Sequence, residues 1–410
     1  MKHRLLVVIL AALSMLGALS IDAYLPALPT IARDFSATLP AIQQTLTIYL
    51  FAFAFMNLFY GTLSDSFGRR PVILISLVCY LISSLGAAWA PTLGWLMFFR
   101  LLQGLSAGGG SVIGRAIVGD RFSGPEAQQI MSYISLVFGV APAVAPILGG
   151  WLLAACGWKS IFYFIASFTF ALLIACFTSL PESLVPEKRH AFHFSVIVRN
   201  YVEVGSHLHF LLRSLGLGLT FVGIMIYVAA APAYILNILH LSVKEFSWLF
   251  VTFIAGMTIG SILSGQLSHR LKPKIIIRIG YAILVLASLE SLGYTALFSP
   301  RVPWAVIPHF FYGLGAALAT PAMTVLTLEM FPNIKGLPSS FQSFIFMVAF
   351  GLISGAFAPL LFASAFRLAL GTAIGVANSI LLWWLGSRGE SEHPVLSNEE
   401  QQLTEEAPHL

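Results

Sequence analysis

Stretches of about twenty mostly apolar residues follow one another along this chain, parted by short polar breaks, and each is long enough to cross a bilayer core as a helix. Twelve are predicted: residues 5–25, 43–62, 72–90, 95–117, 129–154 and 160–180, then 211–236, 246–268, 275–297, 303–328, 339–362 and 366–386. The longest break before the tail, Pro181 to His209, divides them six and six. The expected organisation is a six-helix bundle over 1–180, a linker over 181–210, a second bundle over 211–386 and a disordered tail over 387–410 that carries six acids. Around Val196–Tyr201 the linker has the pattern of an amphipathic helix lying along the headgroups. The fold class is therefore an all-α membrane protein.

Composition agrees: 58% of residues are apolar and only 10% charged, and the mean hydropathy is +0.88. The net charge of +5 does not point to nucleic acid, because the cations sit in short loops between apolar runs. Fifteen of the 22 Lys and Arg residues fall on the side that carries both termini and five on the other, with Arg100 and Arg115 inside spans. The positive-inside rule then makes the termini cytoplasmic, as expected for a multi-pass protein of a bacterial inner membrane. The start Met1-Lys2-His3-Arg4 leads into a run of about twenty residues, expected to be a retained first helix. Cys79, Cys156 and Cys176 lie in separate spans without metal-ligand spacing, and their expected role is packing.

Against this background the charges inside spans stand out. Asp22 lies in the first apolar stretch, where an ionised carboxylate costs about 2.5–3.5 kcal/mol on insertion scales, so a functional role is the default reading. Arg100 falls at similar depth in the fourth span and needs a partner if buried; the alternative is a side chain reaching toward the nearer surface. Glu290, in the ninth span, is a second intramembrane acid and a candidate proton site. His309 is expected to be structural. Tyr49, Asn57, Gln103, Tyr133 and Tyr227 are polar or amphipathic within spans and are candidates for the wall of a substrate cavity.

Two junctions carry further chemistry. After the second span, Gly61 and Gly68 allow a tight turn, Asp65 can cap a neighbouring helix and pair with a cation, and Arg69 and Arg70 follow; Arg115 or Arg121 is the expected partner of Asp65. A fainter copy, Gly265-Gln266-Leu267-Ser268-His269-Arg270, follows the eighth span with His269 in place of the acid. In the fifth span, Gly139, Pro142, Pro146, Gly149 and Gly150 combine helix-bending prolines with small residues that admit a close neighbour.

The segment Gly61 to Pro71 resembles the signature loop of the major facilitator superfamily, and Arg100-Leu101-Leu102-Gln103-Gly104 resembles its fourth-helix motif. Gly139 to Gly150 resembles the family's antiporter motif, with Ala145 where glycine is usual. Asp22-Ala23-Tyr24-Leu25-Pro26 with Pro29 resembles the first-helix pattern of the bicyclomycin-resistance branch. The resemblance implies two pseudo-symmetric bundles, a latch at Asp65 to Arg70, and proton-driven efflux of small lipophilic drugs by alternating access. Asp22 would carry the proton and Arg100 would bias its binding. The expected partners are a small-molecule drug, protons and the bilayer, with no cofactor, metal or nucleic acid, and the protein is expected to be a monomer. The alternative is a proton-coupled exporter of one metabolite such as an amino acid or sugar. No phosphate loop, zinc-protease helix or nucleophile elbow occurs, so an enzyme or ATP-driven pump is not expected.

Overall fold

The computed structural model describes residues 2–122, 130, 134, 144–185, 189, 194–268, 270–331 and 336–388. Tyr133, Gly139, Pro142, His269 and the acidic tail lie outside the described residues. Within them the chain is helical: α1 (Lys2–Asp22), α2 (Leu39–Phe67), α3 (Arg69–Ala88), α4 (Leu93–Arg121), α5 (Val144–Cys156), α6 (Lys159–Ser179), α7 (Phe194–Ser206), α8 (Leu208–Leu219), α9 (Val222–Pro232), α10 (Ser247–Ser268), α11 (Pro273–Leu297), α12 (Ile307–Leu328), α13 (Gly336–Leu352) and α14 (Ala365–Ser387). Ten helical stretches among the described residues are long and apolar enough to span a membrane. An eleventh is α8 with α9, continuing to Ile238 and bent by 44°. The predicted fifth span falls mainly outside the described residues, and α5 is its described end.

Helix starts and stops follow local chemistry. Thr38, Thr92 and Ser364 cap α2, α4 and α14 by accepting from the backbone N–H three residues on. Gly68, at φ +98°, ends α2 and begins α3, a turn that a side chain would strain. The first span is broken immediately after Asp22: a short turn at Leu25–Ala27 and a helix at Leu28–Asp34 complete it, consistent with Pro26 and Pro29, which lack the N–H that would continue the ladder.

Packing repeats six spans later. Contacts of α2 with α4, α3 with α4, α3 with α6 and α1 with α6 recur as α10 with α12, α11 with α12, α11 with α14 and α8–α9 with α14. The closest approaches match as well. A Cβ on Gly104 of α4 would collide with the Tyr49 carbonyl of α2, and one on Gly313 of α12 with the Phe253 carbonyl of α10. This register places His309 at the position equivalent to Arg100. The fold is two helical bundles with matching internal packing.

The outer surface is apolar, as a protein dissolved in lipid requires: Ile75, Ile82, Phe170, Leu286 and Leu289 all project outward. Exposed Trp89, Trp95, Trp151 and Trp304 collect at the face opposite the termini, forming an interfacial belt. The amphipathic α7 does not lie free. Its Val204 is buried with Phe210, Phe331 and Ile345, and its Tyr201 donates to the Leu58 carbonyl at 3.0 Å, so it bridges the bundles at the terminal face.

Candidate functional site: a caged arginine, an unpaired acid and a cavity between the bundles

Arg100 is completely buried. Its guanidinium carbon lies over the rings of Tyr24 and Tyr49, 4.7 and 4.3 Å from their centroids. Its Nη1 donates to Gln103 Oε1 at 3.0 Å and, at 3.4 Å each, to the carbonyl and hydroxyl of Ser20. Gln103 in turn donates to Ser84 Oγ at 2.8 Å, and Ser84 to the Tyr80 carbonyl at 2.7 Å. The cage is fixed from behind: Tyr49 Oη donates to the Gly17 carbonyl at 3.2 Å, and Tyr24 and Thr45 share a bond of 2.9 Å. Because Thr45 spends its proton on the Ile42 carbonyl, Tyr24 is the donor. Aromatic faces and neutral acceptors thus replace the carboxylate that a buried cation ordinarily demands. Nε and Nη2 of Arg100 still find no hydrogen-bond acceptor among the described residues.

Asp22 is 5% exposed, two residues past Ser20 and at the break in α1. No described side chain bonds or ion-pairs with its carboxylate, so the direct pairing of Asp22 with Arg100 is not made in this conformation. The two share one stretch of α1 backbone instead. Arg100 does not reach toward the surface as the alternative reading had it.

Gly149 links this region to α5. Its backbone rests on the Ala23 carbonyl so closely that a Cβ would overlap the peptide, and Pro146 and Gly150 beside it are buried. Replacing Gly149 with Leu is expected to push α5 off the break next to Asp22, lowering the unfolding temperature by the equivalent of about 1–3 kcal/mol and abolishing transport. Thermal unfolding and uptake assays on the same preparation check this. Normal transport would show that the contact is not required.

The loop after α2 forms a charge cluster whose partners differ from those expected. Asp65 pairs with Arg69, four residues on, across the Gly68 turn. Arg69 also donates to Asp120 of α4 at 3.1 Å and to Ser64 Oγ at 2.6 Å. Arg115 and Arg121 do not hold Asp65: Arg115 Nε donates to the Ser111 carbonyl at 3.2 Å and Arg121 to the Glu182 carbonyl at 3.1 Å. The turn brings Arg69, at the start of α3, back over the end of α2, closer to Asp65 than any α4 cation comes. Arg70 donates to the Phe177 carbonyl at 2.6 Å.

Glu182, not selected from the sequence, completes the cluster. Its carboxylate accepts from the N–H groups of Arg69 and Arg70 at 3.0 and 3.2 Å and from those of Ser183 and Leu184 at 3.0 Å each. It caps α3 from the start of the linker. Glu182→Gln keeps the shape but removes the charge, and is expected to cost about 1 kcal/mol, read as a lower unfolding temperature with membrane insertion unchanged. An unaltered melting curve would mean that the charge contributes nothing.

The bundles meet near the face opposite the termini, where Gln43 Nε2 donates to the Ala229 carbonyl at 2.8 Å and Gln44 Nε2 to the Gly355 carbonyl at 2.9 Å. Closer to the terminal face they part around a cavity of about 350 Å³, lined by α2, α4, α8, α12 and α13 with Phe53, Asn57, Arg115, Phe221, Gln342 and Phe346 among its walls. This is a structure closed on one side and hollow toward the other.

The sequence model of the family described as Major Facilitator Superfamily matches residues 10–288 and 213–408. The chain belongs to the Major Facilitator Superfamily. It is 30% identical to a bicyclomycin resistance protein homolog of Haemophilus influenzae, over 81% of this chain and 83% of the relative. It is 26% identical to a chloramphenicol resistance protein of Pseudomonas aeruginosa, over 97% and 95% of the two chains. The solved inward-open structure of the xylose transporter XylE of E. coli superposes with a TM-score of 0.73 at 16% identity, covering 93% of this chain and 96% of that one, which shows the shared fold.

In this facilitator the sequence-selected residues separate into groups. Of the cavity candidates, Asn57 lines the space between the bundles; Tyr49 and Gln103 belong to the Arg100 cage instead. Tyr227 packs edge-to-face on His309, 4.1 Å between centroids, inside the second bundle. Glu290 is corrected: it is exposed on α11 beside lipid-facing Leu286 and Leu289, while Ala287, Ser288 and Ser291 turn inward. Its side chain lies on the outer surface of α11 and not in the interior between helices, where the reading as a proton site had placed it.

Proposed function

We propose that this facilitator is a proton-driven antiporter that exports small lipophilic drugs across a bacterial inner membrane, with both termini cytoplasmic. The observation that carries the reading is the buried Asp22, bonded by no described side chain, two residues along α1 from the Ser20 that holds a buried Arg100 whose Nε and Nη2 meet no acceptor among the described residues. Enclosure favours the protonated form of a carboxyl, whereas water or a cation favours the charged form. Rearrangement of the α1 break on opening would bring Asp22 either to water or to the free donors of Arg100, expelling the proton on that side. The cavity lies between the bundles, so drug and proton need not touch: each shifts the same equilibrium by its preference for one conformation. Gly149, locked to the Ala23 carbonyl, would transmit that movement to α5, and the cluster around Arg69 would latch the terminal face. The names of the resistance relatives support drugs as cargo, and the cation asymmetry of the loops supports the orientation.

The test is internal pH in acidified inverted vesicles on adding chloramphenicol, a sulfonamide and a lipophilic cation, beside a panel of amino acids and sugars. Proton efflux triggered by drugs is the expected result. A response to a single metabolite alone would replace the reading with a specific exporter, and no proton movement with any compound would remove proton coupling.

A further inference from the structure

The cavity between the bundles has a chemical character of its own. Asn57 and Gln342 are each more than nine-tenths buried and stand on opposite walls, one on α2 and one on α13. Asn57 Oδ1 and Gln342 Nε2 are buried without hydrogen-bond partners among the described residues. Asn57 Oδ1 rests against Gly108 of α4; a buried amide left unmet is costly, and rotation of either side chain into the adjoining cavity would let an entering molecule satisfy it. Ser339, Ser340 and Ser343 add hydroxyls along the α13 wall. Phe221 and Phe346, packed edge-to-face at 5.6 Å, form an apolar wall with Phe53.

Among the described residues lining this space the charge has one sign. Arg115 lines it, with Nε tied to the Ser111 carbonyl and no ion-pair partner among the described residues. Among the described residues no Asp or Glu lines the cavity, and Asp22, the buried acid of the proposed proton path, is not part of its wall. A cation entering here would meet Arg115 with no carboxylate to offset it, whereas an anion or a neutral acceptor would gain a charge-assisted bond.

We infer that this cavity binds neutral and anionic amphipathic molecules, with an aromatic or aliphatic body on Phe53, Phe221 and Phe346, hydrogen-bonding groups on Asn57 and Gln342, and a carbonyl, nitro or carboxylate oxygen on Arg115, and that it discriminates against lipophilic cations. The inference rests on the drug-export reading for calling the bound molecule cargo. It implies that proton and drug compete through conformation and not for Asp22.

The test is equilibrium binding to purified full-length protein, without any gradient, of three aromatic probes: neutral chloramphenicol, anionic nalidixate and cationic tetraphenylphosphonium. The expected result is saturable binding of the first two and at least about tenfold weaker binding of the cation, the scale of one charge-assisted contact. Arg115→Gln should weaken the anion about tenfold and chloramphenicol less. Arg115→Glu should raise cation affinity, and Asn57→Ala and Gln342→Ala should weaken chloramphenicol while leaving the elution profile on gel filtration unchanged. Arg115→Lys, which keeps the charge, should retain the anion. Tightest binding of the cation, indifference of all three probes to Arg115→Glu, or absence of saturable binding would each overturn the inference. None of these readings depends on Asp22, so the inference and proton antiport can fail separately: absence of any drug-triggered proton movement in vesicles would remove antiport and leave the binding preference standing.

Discussion

Substitution of Asp22 by Asn is expected to abolish drug-driven proton efflux, a fall of about a hundredfold or more to the vesicle background, while the protein still inserts and binds drug. Asn has nearly the shape of a protonated Asp and cannot ionise, so the variant would be held in the proton-loaded condition. Its folding should not suffer. Asp22 makes no bond with any described side chain that the amide would forfeit, and a buried carboxyl that never has to charge removes a cost. The unfolding temperature is therefore expected to match or exceed that of the natural protein, which separates loss of coupling from loss of structure. Because Asp22 does not line the cavity between the bundles, chloramphenicol affinity should change by less than about threefold at fixed conformation. Measuring internal pH, drug affinity and unfolding temperature on one preparation checks all three. Uphill pumping by Asp22→Asn would take the proton off this residue altogether.

The helical plan was legible because the bilayer imposes it: a span must be apolar and about twenty residues long, and the predicted 246–268 and 366–386 lie within a residue or two of α10 and α14. Arg100 was legible for a related reason, since a guanidinium at that depth has few explanations other than a built interior site. What held it was not. Tyr24 comes from the break after α1 and Tyr49 from α2, and nothing in the sequence distinguishes an aromatic that cages a cation from one that packs. Glu182 and Asp120 were missed because partners 113 and 51 residues from Arg69 leave no local spacing; the available signal was the paired Arg69 and Arg70, which call for acids at the same face. The placement of Glu290 could have been read. Gly280, Ala287, Ser288 and Ser291 form a stripe of small residues that marks the packed side of α11, and Leu286 and Leu289 accompany Glu290 on the other.

Arg100→Lys is expected to be as damaging to transport as Arg100→Ala, a loss of about a hundredfold in each, although Lys keeps the charge. The cage is matched to a planar group. The guanidinium carbon lies over two tyrosine rings while Nη1 reaches Ser20 and Gln103, and an ammonium on a flexible stem can satisfy the rings or the acceptors but not both. Stability should separate the two variants. Ala opens a void among Tyr24, Tyr49 and Gln103 and strands Gln103 Oε1, a combination worth about 3–5 kcal/mol, whereas Lys retains part of the cation–π attraction, about 0.5–2 kcal/mol per ring. Arg100→Lys should therefore melt close to the natural protein yet fail to couple, because it lacks the two further donors proposed to receive Asp22. Thermal unfolding beside vesicle proton efflux reads both quantities. Near-normal coupling in Arg100→Lys would mean that a positive charge at this depth suffices, and that the tyrosine cage serves packing and not the proton.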